Sequence, residues 1–419
     1  MRLVSDPAFP ALHIRPARGW LNDPNGLCRI DGIYHVFFQH NPHAPVHGNV
    51  HWGHVSSTDM LHWQEHPVAL LPRAAQIDAA GCWSGCIVDD RGVPTAVYTA
   101  NPDHAWNATV ALARSDRSLT MWTQSETAVI GTPDDPDIDE ARDPFVFDFE
   151  GRRYAVQGAG RRDGLPQVLL YDCDDLEHWI ELGPLLTMAD PVAAEVADAN
   201  IWECPNLAYV DGQWVLLLSL WQWVDGSHRL DGVRYLLGDL VSRGDGLQFK
   251  ATGGGVLDEG PAFYAPQLLA EPDRTLLWAW SWELGRDFGQ IAQSGWVGAL
   301  TFPRELFVRG GRLGSRPAAE LTALRQERLD HSAAGFAAQA FEVLAYGQVT
   351  LELADGAERE PVVTAAGTPD QPTRILVDGS MVEAFAAGRS TTTRAYPTTT
   401  SRWLVDAVDA VEIWPLGQP

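Results

Sequence analysis

Along most of the chain, apolar residues come in short runs rich in Val, Leu, Trp and Tyr, separated by Gly, Asp and Pro, and no long stretch carries a 3.6-residue period. Such runs predict short strands. The punctuation is periodic: Asp31-Gly32, Arg91-Gly92, Gly151-Arg152, Asp211-Gly212 and Asp273-Arg274 each precede an apolar run, and these turns lie 59 to 61 residues apart. An Asp followed by an aromatic keeps the same phase, as in Asp59 to Trp63, Asp116 to Trp122 and Asp175 to Trp179.

A supersecondary unit of about sixty residues repeated five times predicts an all-β, five-bladed β-propeller, because radial packing covers both faces of each small sheet. The propeller is expected over residues 1–310, with a linker over 311–328 that includes a helical turn or two after Pro317. A C-terminal β-sandwich is then expected over 329–419. Its strands are predicted at Gln348–Leu353, Arg374–Val377, Met381–Phe385 and Val411–Trp414.

The repeat also places chemistry. About nine residues before three of the turns stand Asn22-Asp23-Pro24-Asn25-Gly26, Arg142-Asp143-Pro144 and Glu203-Cys204-Pro205-Asn206, with the acids 120 and 60 residues apart, whole multiples of the period. Equal phase in a propeller means equal height and radius, so the three carboxylates should meet at one end of the central channel. Crowded acids push one another's pKa values apart, and one protonated beside one ionised carboxyl is what glycoside cleavage requires. A pattern of Asp-Pro and Asn-Gly can also mark turns alone. Three in register favour a site.

Composition narrows the partner. A formal charge of −25 and a single lysine, Lys250, disfavour nucleic acid and anionic membrane surfaces. Seventeen Trp suit the flat faces of sugars, with Trp20, Trp52, Trp83, Trp202 and Trp280 expected near the channel mouth. The longest apolar runs are too short to span a bilayer. Residues Met1 to Pro7 lack the apolar stretch of a secretory leader, so a cytoplasmic chain is expected. Five cysteines without a CxxC pair are read as reduced and mostly buried. No cofactor is expected: Gly158-Ala159-Gly160 does not complete a dinucleotide motif. No metal is expected either, because Pro and Gly interrupt the run His40, His43, His47, His51, His54. Asp134 to Glu140 lacks EF-hand spacing and is read as a solvated loop.

Together, Trp20 to Gly26, Arg142-Asp143-Pro144 and Trp202 to Leu207 resemble in order and spacing the hallmark motifs of glycoside hydrolase family 32, the invertase, levanase and inulinase group. Further likeness runs through Trp52-Gly53-His54, Asp258-Glu259-Gly260, Phe263-Tyr264-Ala265, Gly295 to Leu300 and Val377 to Phe385. The resemblance implies a five-bladed propeller with a sandwich, and retaining chemistry on β-D-fructofuranosyl units of sucrose or short fructans. It implies Asp23 as nucleophile, Glu203 as acid/base, and Asp143 as the group that holds ring hydroxyls, with Arg142 fixing its geometry. By position, Asn22, Gln39, Trp83, Ser84 and Asp258 would line the fructose subsite. Donors around Asp23 should keep it ionised, and an apolar setting at Trp202 and Cys204-Pro205 should raise Glu203. Retention further requires the two carboxyls about 5 to 5.5 Å apart. His47 stands where many relatives carry Trp, which implies a more polar rim. Fructosyl transfer with the same acids, an inactive sugar-binding propeller, and a related furanosidase acting on arabinan or xylan are the competing readings.

Overall fold

Type I′ turns organise the first two-thirds of the chain. Asp31-Gly32, Arg91-Gly92, Glu150-Gly151 and Asp211-Gly212 all have positive φ at both positions, the turn whose twist matches two antiparallel strands. The computed structural model describes residues 6–103, 107–329, 335–368 and 370–417, so residues Met1 to Ser5 of the leader reading lie outside the described residues.

Around these turns, five four-stranded antiparallel units follow one another along the described residues. The first comprises Gly19–Ile30, Ile33–Asn41, His51–Ser57 and Gln64–Glu65, and the second Gly81–Asp90, Val93–Asn101, Thr109–Ser115 and Trp122–Gln124. In the third, Ile138–Phe149, Arg152–Arg161, Pro166–Asp172 and Ile180–Thr187 pair in turn. Ile201–Val210, Gln213–Val224, Ser227–Arg243 and Gly246–Val256 make the fourth, bridged to the third through Gly160 and Ile201. Tyr264–Ala270, Thr275–Ser281, Arg304–Arg309 and Arg312–Pro317 complete the fifth.

Each unit's first strand packs on the first strand of the next, and that of the fifth packs on that of the first. The ring is therefore closed. Trp296–Val297 seals it by pairing in parallel with Gly19 and Trp20, while Ala299–Leu300 pairs back onto the fifth unit. Between them Gly298 adopts φ +76°, and a Cβ there would lie 2.0 Å from the Leu21 carbonyl, so the seam requires glycine.

Arg312–Pro317, read from sequence as linker, is instead the outer strand of the fifth unit, paired with Arg304–Arg309. Only the stretch after Pro317 connects, and it holds one short 3₁₀ helix, Ala319–Leu324. Beyond it, Ala340–Ala345, Thr373–Asp378, Met381–Ala386, Arg389–Arg394 and Val411–Pro415 form one sheet, and Gln348–Asp355, Glu358–Ala366 and Arg402–Ala407 a second. Phe341, Val343, Val349, Leu351, Ile375, Val377, Trp403 and Ile413 fill the core between them.

A buried ionic network ties this sandwich to the ring. Arg304 donates to Asp258 Oδ2 at 2.7 Å and to Glu383 Oε2 at 2.5 Å, and its guanidinium lies over Phe263 and Phe385. His13 bridges Asp378 and Glu383 at 2.8 and 3.0 Å. Burial opposes the charge on His13, but hydrogen bonds to the two carboxylates outweigh it and raise its pKa.

Because Arg304 is 1% exposed, removing it strands two buried carboxylates. Arg304→Met is expected to destabilise the protein by about 3–5 kcal/mol. A lower urea midpoint would register the loss, and an unchanged midpoint would contradict it.

Candidate active site

The first strands are interrupted at one position of the repeat. Pairing slips between Leu21 and Pro24, Cys82 and Gly85, Glu203 and Asn206, and Tyr264 and Gln267, and opposite Asp143-Pro144 it slips between Val156 and Gly158. Asp143, Cys204 and Ala265, each followed by Pro, hold φ of 60°, 45° and 45°. A left-handed non-glycine residue before proline is strained, and the bulge it makes turns neighbouring side chains out of the ladder. Here they turn toward the centre of the ring. A narrow cavity of about 10 Å³ is lined by Pro24, Ser84, Pro144, Pro205 and Pro266, with one contribution from each unit.

At that end of the ring Asp23, Asp143 and Glu203 come together. The Cys204 thiol touches both Asp23 Oδ2, at 3.7 Å, and Asp143 Oδ2, at 3.4 Å, and the Cys204 amide donates to Asp143 at 3.0 Å. Asp23 accepts from Ser84 Oγ at 2.6 Å and from Asn22 and Gln39 side-chain amides at 3.1 Å each. Trp20 Nε1 orients Asn22 through a 2.7 Å bond. Glu203 Oε1 accepts from Arg142 Nε and Nη2 at 3.1 and 2.9 Å, and Glu203 Oε2 accepts from the Tyr264 hydroxyl at 2.5 Å. Asp143 and Arg142 are buried, whereas Asp23 and Glu203 keep exposed surface, so the pit opens between those two.

Two sequence expectations change. Glu203 faces a guanidinium and a phenol, not an apolar wall. Asp23 has its donors, yet burial, with Asp143 and Glu203 adding to it, outweighs the Ser84 and Asn22 hydrogen bonds and pushes its pKa up to about 7. Burial likewise raises Asp143 to about 6 against the pull of Arg142. Asp23 and Asp143 thus hold protons to higher pH than solvated carboxyls do, while Arg142 stays charged beside them, its carboxylate neighbours raising its pKa.

Of the expected subsite residues, Asn22, Gln39, Ser84 and Arg142 are in this cluster, and Trp83 is half-buried with its carbonyl taken by Trp52 Nε1. Asp258 is not among them. Both its oxygens are committed to Arg304, Thr392 and the Gly260 amide at the junction with the sandwich, and its side chain is fully buried. Trp52 and Trp202, expected near the mouth, are fully buried core. The histidine run is also structural in part: His54 stacks between Phe37 and His66, and burial pushes its pKa down to about 2. Among the described residues no three His, Cys, Asp or Glu side chains are grouped to hold a metal.

Sequence reasoning missed Tyr264, although it follows Glu203 by 61 residues and so shares its phase. It also missed Glu140, assigned to a solvated loop. The strand Ile138–Phe149 begins earlier than that reading allowed, and Glu140 shares a face with Arg142, whose Nη1 it accepts. Burial raises Glu140 to about 7. A cavity of about 460 Å³, lined by Phe307, Arg316 and Arg374, lies at the domain junction and includes none of these groups.

Residues 13–317 match the family model described as Glycosyl hydrolases family 32 N-terminal domain, and the chain belongs to glycoside hydrolase family 32. It is 36% identical to a raffinose invertase of Escherichia coli over 76% of its length, and 33% identical to a sucrose-6-phosphate hydrolase of Zymomonas mobilis over 78%. The aligned stretches span 66% and 65% of those relatives, slightly under two-thirds. In fold it is similar to a sucrose-6-phosphate hydrolase from Lactobacillus gasseri, with TM-score 0.83, 24% identity and coverage of 99% and 94% of the two chains. It is also similar in fold to a Bombyx mori GH32 beta-fructofuranosidase, with TM-score 0.82, 24% identity and coverage of 98% and 94%.

A carboxyl whose pKa is higher folded than unfolded binds more protons in the folded state, so its stabilising contribution is full below about pH 4 and is lost as pH rises toward 7. Asp23→Asn is therefore expected to gain stability relative to the unsubstituted protein by about 2 kcal/mol between pH 4 and pH 7. Urea unfolding at the two pH values checks this, and a pH-independent difference would contradict it.

Proposed function

We propose that the protein is a β-fructofuranosidase that releases fructose from sucrose or short fructans with retention, through a fructosyl-enzyme intermediate. The observation that carries the reading is the meeting of Asp23, Asp143 and Glu203 at one end of a ring of strands, with Arg142 and Tyr264 gripping Glu203. In this reading the five units are the blades of a propeller extending to Pro317, and the sandwich follows from 329. Support comes from the cyclic contact of first strands and from the family fold.

Asp23 would attack C2 of the fructosyl unit while Glu203 protonates the departing oxygen, and Glu203 would then take a proton from the water that releases fructose. Ser84, Gln39 and Asn22 give Asp23 the donors that favour its ionised form. Asp143 would accept hydrogen bonds from ring hydroxyls as positive charge develops. Arg142 keeps Glu203 aimed at the leaving oxygen, and Asn22, Gln39, Trp83 and Ser84 shape the subsite. No cofactor or metal enters this scheme. A cytoplasmic setting is proposed, supported by five cysteines that are all unpaired. None of the described helices is long and apolar enough to cross a membrane.

Fructose release from sucrose and a fructan is the direct test, and absence of fructose from every fructoside overturns the reading. Asp23→Ala and Glu203→Ala are each expected to lower kcat by several orders of magnitude, as loss of one member of a catalytic unit does. With Glu203→Ala and a fructoside whose leaving group departs without protonation, added azide is expected to restore turnover and give a fructosyl azide of retained configuration. An inverted product would remove the covalent intermediate from the mechanism.

A further inference from the structure

One hairpin rises beyond the others beside Glu203. The first strand of the fourth unit begins at Ile201, opposite Trp221, but the second and third strands continue past it through the pairs Gln222–Arg229, Trp223–His228 and Val224–Ser227. Glu203 is paired with Ser219. Side chains alternate along a strand, so Ser219, Trp221 and Trp223 share the face that carries Glu203. That face looks toward the fifth unit, since Ser219 Oγ accepts from the Ala265 amide at 3.2 Å.

The hairpin is held still. The Trp223 amide donates to Asn200 Oδ1 at 2.7 Å, Asn200 Nδ2 donates to the Gly164 carbonyl at 3.1 Å, and Gln222 Nε2 donates to the Asp198 carbonyl at 2.9 Å. Trp221 is buried, stacked on His228 with a 3° interplanar angle at 5.6 Å and meeting Trp223 edge-on at 5.1 Å. Trp223 itself is 54% exposed on this fixed support. Trp221 and Trp223 thus form a fixed aromatic pair whose outer ring is open, the kind of flat surface on which a sugar face stacks.

The acid that protonates a leaving oxygen must stand on the leaving-group side of the scissile bond, so the part of the substrate beyond that bond starts beside Glu203, where this hairpin rises. Trp223 lies four residues past Ser219, about 13 Å along the strand at the usual rise. That exceeds the reach of the single leaving sugar of a disaccharide. We propose that Trp223 is a distal stacking platform for the leaving portion of the substrate, so that the preferred substrate class is a neutral fructosyl oligosaccharide of three or more units. The chain's charge of −25 fits an uncharged ligand there. This inference rests on the fructosidase reading above.

The experiment compares kcat/KM on a pentasaccharide fructan with that on sucrose. In Trp223→Ala the ratio of the two is expected to fall about fivefold to tenfold, with the loss in KM for the pentasaccharide, and Trp223→Phe is expected to keep most of it. A ratio unchanged in Trp223→Ala overturns the proposal, and if the alanine variant also loses mass in solution, the ring belongs to a contact between copies of the chain. Failure of the unsubstituted protein to release fructose from either substrate would overturn the fructosidase reading itself, a result distinct from an unchanged ratio.

Discussion

Closing five sheets into a ring forces their first strands to converge, and the acids those strands carry must then share one poorly hydrated pit. Asp23, Asp143, Glu203 and Glu140 are drawn together, with Arg142 hydrogen-bonded to Glu140 and Glu203 and 4.0 Å from Asp143. Burial strips water from these carboxyls and their like charges add to the cost, so Asp23, Asp143 and Glu140 keep their protons to higher pH than solvated carboxyls do. The backbone ladders around the ring hold what the side chains alone would push apart.

The same convergence explains the strained positions. A regular strand would send successive side chains alternately toward the two neighbouring sheets, and none along the ring axis. The bulges before Pro144, Pro205 and Pro266 break that alternation, and the left-handed residues at Asp143, Cys204 and Ala265 are its consequence. Strain concentrated at one level of these strands, at Asp143 itself and beside Glu203, couples the local irregularity to the chemistry proposed for it.

The sandwich bears on the ring through Arg304 and His13. Asp258 shows how this matters: it lies in a segment that resembles the family's and is yet spent on the junction, where its oxygens meet Arg304 and Thr392. Burying that many charges adds little net stability, but it admits only one registration of the two domains. The junction anchors Asp258 six residues before Tyr264, which grips Glu203.

Much of this was legible in the sequence. The sixty-residue period, the turns at Asp31-Gly32 and Asp211-Gly212, the strands of the sandwich at Gln348–Asp355 and Met381–Ala386, and the phase shared by Asp23, Asp143 and Glu203 all follow from local rules of pairing and turn geometry repeated along the chain. Strands such as Glu358–Ala366 and Arg389–Arg394 escaped notice because charged and Thr-rich edges carry no clear alternation. What only the tertiary structure decided was the fate of individual polar groups: Asp258 in the junction, Glu140 on Arg142, Tyr264 on Glu203, and Trp52 and Trp202 in the core. Periodicity determines which residues occupy equivalent places, whereas burial and partner choice depend on neighbours hundreds of residues away, and those are set only when the ring closes.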